Sequence, residues 1–371
     1  MTSSPRVNLR KLRSRLGQPT ARTLLRPLVR WRPLKYPTPG YSLVVGTPWD
    51  MRHLLAVNLR FIAESHRENL HEVMVMFDRR PRPGAVELIA EVGERFPELP
   101  LTFHFYPSLS GWITERVGVS TFFNSMNTVL ALGRCTSRYA ILHDFDLYPT
   151  DPGYFETIYR AMAGEGLRFA GAERTTFSGL TTEDNVLGTW GLGMDVPYIR
   201  ELFTPTQCFH CVEHLRGQEV KLDPYSSIQL RTPERRVIDW GGEQPFCHVK
   251  NLCSTYLRFT RGQHAKVAWR LHYLWYLESI EQGEQRLKKV IDAMDVAKGR
   301  VLTAHGYTAD FTNVDPTCAN VLRTELTAMD TALFGRIRPT VAEYVASFAR
   351  FLGLEQGSVA AANVISGADD C

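Results

Sequence analysis

Asp144-Phe145-Asp146 sets two carboxylates on either side of one apolar residue. On an extended backbone, residues two apart project to the same side, so the pair offers hard oxygen ligands to Mg²⁺ or Mn²⁺. Both ions keep several waters and complete their coordination with substrate phosphates, so a two-carboxylate anchor is enough to hold a diphosphate. Asp-x-Asp recurs by chance in loops. Here it ends the apolar run Tyr139-Ala-Ile-Leu-His143, inside the unusual stretch His143 to Pro149, HDFDLYP. A second metal arrangement competes with it. Cys208-Phe-His-Cys211 is a CxxC, followed downstream by Cys247-His248 and Cys253, which on paper makes a four-ligand zinc site. The second half lacks the tight spacing of the first, and buried, inert thiols are the default reading.

The elements that must position these groups follow from apolar patterning. Pro37, Pro39 and Gly40 punctuate the start of the folded body, and Tyr41 to Gly46 is a short β-rich run. A helix is expected over Met51 to Ser65, a strand over Glu72 to Phe77, a helix from Pro83 to Phe96 and a strand over Leu101 to Tyr106. A further helix over Phe122 to Leu132 leads to the strand that ends in Asp144. Strands alternating with helices at this spacing predict an α/β fold with a largely parallel sheet flanked by helices. In such sheets ligands bind outside the carboxyl ends of the strands, where Thr47, Asp78 and the Asp144/Asp146 pair all emerge. Past Pro149 the expected order is helix (Tyr154 to Ala163), strand (Leu167 to Ala172), and a Glu173 to Gly188 loop with few apolar anchors that reads as a lid. A helix then runs to Phe203, with a helical stretch near Tyr225 to Thr232 and strands at Arg236 to Trp240 and Phe246 to Val249. From Ala265 onward the pattern is helical. The domains expected are a basic arm (1–40), a catalytic body (41–260), a helical extension (261–355) and a flexible tail (356–371).

Composition bounds the class. The 371 residues are 44% hydrophobic and 22% charged, which describes a globular chain and excludes disorder and fibre. The sequence contains no run of 18 apolar residues and opens without the apolar core of a secretory signal, so a cytoplasmic location is expected, at most peripheral to the inner face of a membrane. Seven cysteines are an odd number in a long chain, which argues against a secreted disulfide framework. The net charge of +4 hides an asymmetry, because residues 1–40 hold ten Lys or Arg and no acid. With Leu9, Leu12, Leu16, Leu24, Leu25, Leu28 and Trp31 the arm suits an anionic lipid surface. A solvated tail is the equal alternative. Nucleic acid is not an expected partner, since the body shows no basic stripe with interleaved aromatics.

Residues Tyr139 to Pro149, YAILHDFDLYP, resemble the strand and DxD element of the GT-A glycosyltransferases. The resemblance extends over about residues 41–255, but only the DxD element is specific. It implies a GT-A fold, a nucleotide-sugar donor and a Mn²⁺ or Mg²⁺ cofactor. Carried over residue by residue, Asp146 matches the acid that binds the metal and Asp144 the acid that contacts donor ribose and metal. Thr47-Pro48 matches the opening nucleotide loop, Asp78 the acid that pairs with the base, and Asn127 the helix asparagine ahead of the DxD. His248 corresponds to a terminal histidine that completes the metal site, and it cannot serve that site and a cysteine cluster together.

Inverting sugar transfer also needs a general base near the acceptor hydroxyl. Asp223 is the first candidate, with Asp239, Asp195 and Glu243 behind it; the alternative for each is a surface acid or a helix cap. The sequence has no Glu-Asp pair where many inverting members carry one, so neither stereochemical course is selected. Trp190 with Gly191 and Gly193 fits acceptor stacking as well as it fits a core turn, and Trp112 and Trp240 share the ambiguity. Trp269, Tyr273, Trp275 and Tyr276 read as core packing against the sheet. The function expected is transfer of a sugar, from a UDP-sugar first of all, to a glycan or lipid-linked acceptor. The alternatives are a non-catalytic glycan- or membrane-binding relative and a nucleotidyltransferase, the latter disfavoured by a first loop with a single glycine.

Overall fold

Leu43, Val44 and Val45 are all buried, so both faces of their strand are covered, as expected for an apolar run in a parallel sheet. The computed structural model describes residues 18–175, 180–242, 244–260 and 268–354. In chain order its strands are β1 (Thr38–Thr47), β2 (Leu70–Phe77), β3 (Leu101–His104), β4 (Ser137–Asp144), β5 (Leu147–Pro149), β6 (Phe169–Gly171), β7 (Gly191–Asp195), β8 (Cys211–Leu215), β9 (Gln218–Leu222), β10 (Arg235–Val237), β11 (Phe246–His248), β12 (Val301–Ala304) and β13 (Tyr307–Asp310). Seven of them form one sheet in the order β10-β6-β7-β4-β1-β2-β3. Only β7 runs against its neighbours, so the sheet is mostly parallel, and the chain is α/β with a helical C-terminal region.

Contacts divide the chain into two units interleaved in sequence. The first takes residues 1–49, 66–145 and 155–243 and carries the sheet; the second takes 50–65, 146–154 and 244–371. In the sheet unit, helices Ala85–Arg95, Ser108–Val117, Ser120–Arg134 and Tyr154–Glu165 follow their strands as the βα spacing requires. Ser108–Val117 was not anticipated, because Ser, Gly and Thr dilute its apolar face. The antiparallel β8–β9 hairpin was also missed. Its turn, Arg216-Gly217, has positive φ at both residues (50° and 79°), the geometry of a tight two-residue hairpin.

The second half of the basic arm is part of this unit. Residues 18–25 are helical, and Ala21, Leu25 and Val29, spaced four apart, are buried with Met126, Val129 and Leu132 of the helix Ser120–Arg134. The Trp31 indole N–H donates to the Val129 carbonyl at 2.8 Å. This corrects the reading of the whole arm as a free tail or a lipid-facing surface: Leu25, Val29 and Trp31 are spent on internal packing. The bases and leucines before residue 18 lie outside the described residues, as do Glu243 and the 356–371 tail.

The second unit gathers the helices Leu55–Ala63, Leu252–Phe259, Leu271–Gln282, Gln285–Asp295, Cys318–Phe334 and Pro339–Phe351, the β12–β13 hairpin and a two-stranded β5–β11 ribbon. Trp275, Tyr273 and Tyr276 are fully buried and Trp269 nearly so. Their helix packs against the other helices of its own unit. Among the described residues no helix is long and apolar enough to cross a membrane.

Candidate functional site

The parallel strands end level with one another. Gly46 of β1 is in register with Asp144 of β4 and with Met76 of β2, and Thr47 with Phe77. The Asp78 N–H donates to the Thr47 carbonyl at 3.1 Å, so the ladder carries on one rung past the strand. Asp78 is buried, and its Oδ1 accepts the Trp49 N–H at 2.8 Å while Oδ2 lies 3.0 Å from an Arg79 Nη. The carboxylate therefore pins the loop Thr47-Pro48-Trp49 over the strand ends. Trp49 packs with Phe77 and Phe105, ring centroids 5.4 and 6.1 Å away, and these two stack at 4.8 Å. Asn127 sits beneath the same rung. It is 4% exposed, its amide nitrogen would lie 3.5 Å from a side chain at Gly46, and its Oδ1 has no hydrogen-bond partner among the described residues. A buried acceptor left open costs about 1–3 kcal/mol, so a donor from outside the chain has something to satisfy there.

Past the end of β4 the chain turns through Phe145 to Asp146 and enters β5. β5 pairs antiparallel with β11, His248 opposite Leu147 and Cys247 opposite Tyr148, and the Val249 N–H donates to the Asp146 carbonyl at 2.9 Å. This ladder brings residues a hundred positions apart together: His248 Nε2 lies 3.6 Å from Asp146 Oδ1. Asp144, Asp146 and His248 each present one ligand atom, all within 4.8 Å of one another. A divalent ion bonded at about 2.1–2.2 Å holds opposite ligands about 4.3 Å apart and adjacent ones about 3 Å apart. The three groups thus fit a single ion with little movement. Two carboxylates and an imidazole suit Mn²⁺ or Mg²⁺ and leave coordination positions open for phosphate oxygens.

Trp190 is the neighbour of Asp144 on the β7 side, its carbonyl accepting the Asp144 N–H at 3.3 Å. Its ring lies where a side chain on Gly188 would be, 2.3 Å from the ideal position, so residue 188 must be glycine for the ring to sit there. Gly193 is different. A side chain there would meet Met162 Sδ at 2.5 Å and Ile158 at 2.8 Å, so its space is filled by the helix Tyr154–Glu165, which favours the core turn of the two readings for this residue. Trp240 is half-buried and donates to the Ala172 carbonyl at 3.2 Å; Trp112 is 47% exposed beneath Arg116. The supposed lid has residues 176–179 outside the description. Its base is a hairpin closed by an Arg174–Leu187 bridge, with Val186 and Leu187 buried and Leu187 held at both N–H and C=O by Gln229. The expectation of few apolar anchors was incorrect for this base.

The candidate bases separate by environment. Asp223, just after β9, is half-buried, and desolvation pushes its carboxyl up to about 6. Asp239 is exposed, and its Oδ1 accepts the Gly241 N–H at 2.9 Å, a turn-forming contact. Asp195 is not a base: it is 1% exposed, caps the helix Val196–Leu202 through the Tyr198 N–H at 3.1 Å, and pairs with Arg138 and Arg168. The zinc reading finds no support: among the described residues Asp144, Asp146 and His248 are the one group of three His, Cys, Asp or Glu side chains placed to hold a metal, and it contains no cysteine. Burial raises the Cys208 and Cys247 thiols well above their ordinary value and, with Glu213, pushes Cys211 up to about 11.

No family model and no curated protein matches this sequence. Its structure is similar to residues 1–349 of S. aureus TarS (10% identity, 84% of this chain and 90% of that one, TM-score 0.37). It is also similar to the mannosyltransferase PcManGT from Pyrobaculum calidifontis, solved with GDP-Man and Mn²⁺ (14% identity, 93% and 95%, TM-score 0.37). A third neighbour is the bifunctional glycosyltransferase WbbM (8% identity, 56% and 40%, TM-score 0.36). These are loose likenesses, and the functional reading stands on the site. Its geometry agrees with the GT-A resemblance of YAILHDFDLYP: a mostly parallel sheet with the acid pair at the end of β4.

Proposed function

We propose that this protein is a metal-dependent glycosyltransferase that moves a sugar from a nucleotide-sugar, a UDP-sugar first of all, to a glycan or lipid-linked acceptor. The observation that carries the reading is the Asp144, Asp146 and His248 cluster at the carboxyl end of β4. When bound, a divalent ion held by these three neutralises charge on a departing diphosphate. The chain's own residues do the rest. Thr47, Pro48, Asp78 and Trp49 shape the strand-end rim that receives the nucleoside. Asn127 offers its open carbonyl oxygen to a donor on the nucleotide-sugar, and the ring of Trp190 makes an apolar wall beside Asp144 for a sugar face. Asp223 takes the proton from the acceptor hydroxyl; a carboxyl whose pKa is about 6 is a stronger base than an ordinary one and still ionised at neutral pH. Asp239 is the weaker candidate, since it lacks that environment.

Calorimetric titration with UDP, GDP and CMP, with and without Mn²⁺, tests the reading on the wild type and on Asp146→Ala. One nucleotide should bind tightly only with Mn²⁺, and the substitution should weaken that binding by at least about a hundredfold, the loss of one of three ligands. Absence of nucleotide binding by the wild type under all conditions would overturn the donor site.

A further inference from the structure

The ribbon that carries Asp146 and His248 is only two strands of three residues, far too small to hold its shape unaided. Its rigidity has to come from behind. Leu147 and Tyr148 of β5 are fully buried; Tyr148 packs on Phe61 at 5.1 Å, and the Leu147 carbonyl accepts from Asn58 Nδ2 at 3.5 Å. Those contacts fix the Asp146 side. The His248 side depends on Cys247, the middle residue of β11, which is 2% exposed. Its thiol faces the carboxylate of Glu325, on the helix Cys318–Phe334 that packs over both strands of the ribbon. Glu325 is itself buried and gripped: the Tyr273 hydroxyl donates to its Oε2, and Arg270 and His248 lie near enough to act on its charge.

A buried carboxylate is costly, and this one is no metal ligand, since it stands outside the Asp144, Asp146 and His248 group. The Tyr273 hydroxyl, from the helix Leu271–Gln282, donates to it, and its own helix packs on β5 and β11 beside Cys247, so the carboxylate links the metal-bearing strand to the interior of its unit. We propose that Glu325, held by Tyr273, is a positioning residue for His248 and so sets the metal affinity of a site it does not touch. The inference rests on the metal-site reading above. Ligand-orienting groups behind a metal site characteristically contribute 10–100-fold to affinity, which a buried carboxylate held by Tyr273 on the helix that covers β11 is placed to do.

The test is Mn²⁺ binding to the full chain, followed by calorimetry and by the electron paramagnetic resonance line shape of the bound ion. It compares the wild type, Glu325→Ala, Glu325→Gln and Tyr273→Phe at a temperature where circular dichroism shows each folded. Glu325→Ala should weaken Mn²⁺ 10–100-fold and change the line shape. Glu325→Gln, which keeps the volume and one acceptor oxygen, should recover part of the loss, and Tyr273→Phe should fall between Gln and wild type. A merely structural role would lower the melting temperature and leave affinity and line shape of the folded protein untouched, which overturns the proposal. If the wild type binds no Mn²⁺ at all, the metal site itself is wrong; if it binds and Glu325→Ala binds equally, only the positioning role is.

Discussion

Asp195 in the sheet unit and Asp330 in the helical unit are both carboxylates taken almost wholly out of water, 1% and 0% exposed, and both answer to arginine. Their surroundings differ. Asp195 caps its own helix and pairs with Arg138 and Arg168, whose side chains are 41% and 33% exposed and can turn to solvent. Asp330 receives the Arg338 backbone N–H at 2.6 Å, the Arg338 Nε at 2.8 Å and the Tyr276 hydroxyl at 3.2 Å, with the Arg338 side chain only 13% exposed and stacked 4.2 Å above Phe334. The sheet unit satisfies its buried charge locally and leaves the partners an exit. The helical unit closes around it. The Asp146–His248 ribbon belongs to the second kind of environment, where a ligand can be held still because little around it can rearrange.

The largest effect expected from this contrast is at Asp330. Asp330→Ala leaves the Arg338 guanidinium, 13% exposed, with only its longer contact to Glu284 at 3.6 Å, and breaking a largely buried pair on one side costs about 3–5 kcal/mol. Urea unfolding, monitored by fluorescence, should show that loss. A cost under about 1 kcal/mol would mean that the helical unit is softer than its packing indicates, and would weaken the case that it preorganises the ribbon.

The same contrast explains what could be read in advance. The strand ends were legible because a parallel sheet sets spatial neighbours by register: once Tyr41 to Gly46, Glu72 to Phe77 and Tyr139 to His143 are strands, Thr47, Asp78 and Asp144 must emerge together. His248 was reachable through the family pattern, and its place beside Asp146 rests on a six-residue ribbon. Glu325 and Tyr273 had no local signal. Both lie on helices with ordinary apolar spacing, and only their tertiary meeting at Cys247 gives them a role. The packed helix at residues 18–25, which buries only Ala21 and Leu25, was misread because seven leucines and tryptophan amid ten bases look amphipathic whichever partner they face. The i, i+4, i+8 spacing of Ala21, Leu25 and Val29 was the available clue. The β8–β9 hairpin was overlooked because β8 alternates exposed and part-buried residues and β9 buries only Val220 and Leu222, with few apolar side chains to mark the pair.

Asp223 sharpens the comparison from the side of function, because it is half-buried and desolvation is the cause of its raised pKa. An unfolded aspartate ionises near 3.8 and this one near 6. Between those values the folded chain binds more protons than the unfolded one, so stability falls as pH rises from about 4 to about 6 and is then level. The loss should be on the order of 2 kcal/mol, and Asp223→Asn should flatten it and exceed the wild type in stability at pH 8. Activity should run the opposite way, rising through pH 6 in the wild type and falling by 10²-fold or more in the variant. A variant that is stabilised yet fully active would remove Asp223 from catalysis while leaving its environment as described.

The smallest effect is reserved for Asp195. In Asp195→Ala the helix Val196–Leu202 loses its cap, worth about 1 kcal/mol, and two arginines lose a shared partner but retain access to water. The total should be about 1–2 kcal/mol, less than half the Asp330 cost, and Asp195→Asn should recover most of it because the amide oxygen can still accept the Tyr198 N–H. The ratio of the two aspartate losses is the informative quantity, since both side chains are equally buried and both are paired with arginine. Equal losses would mean that burial of the acid alone sets the cost. A ratio of two or more would mean that the freedom of the partner decides it, and the same freedom then distinguishes the strand-end acids, which can adapt to a nucleotide, from the ribbon that has to hold a metal ligand in place.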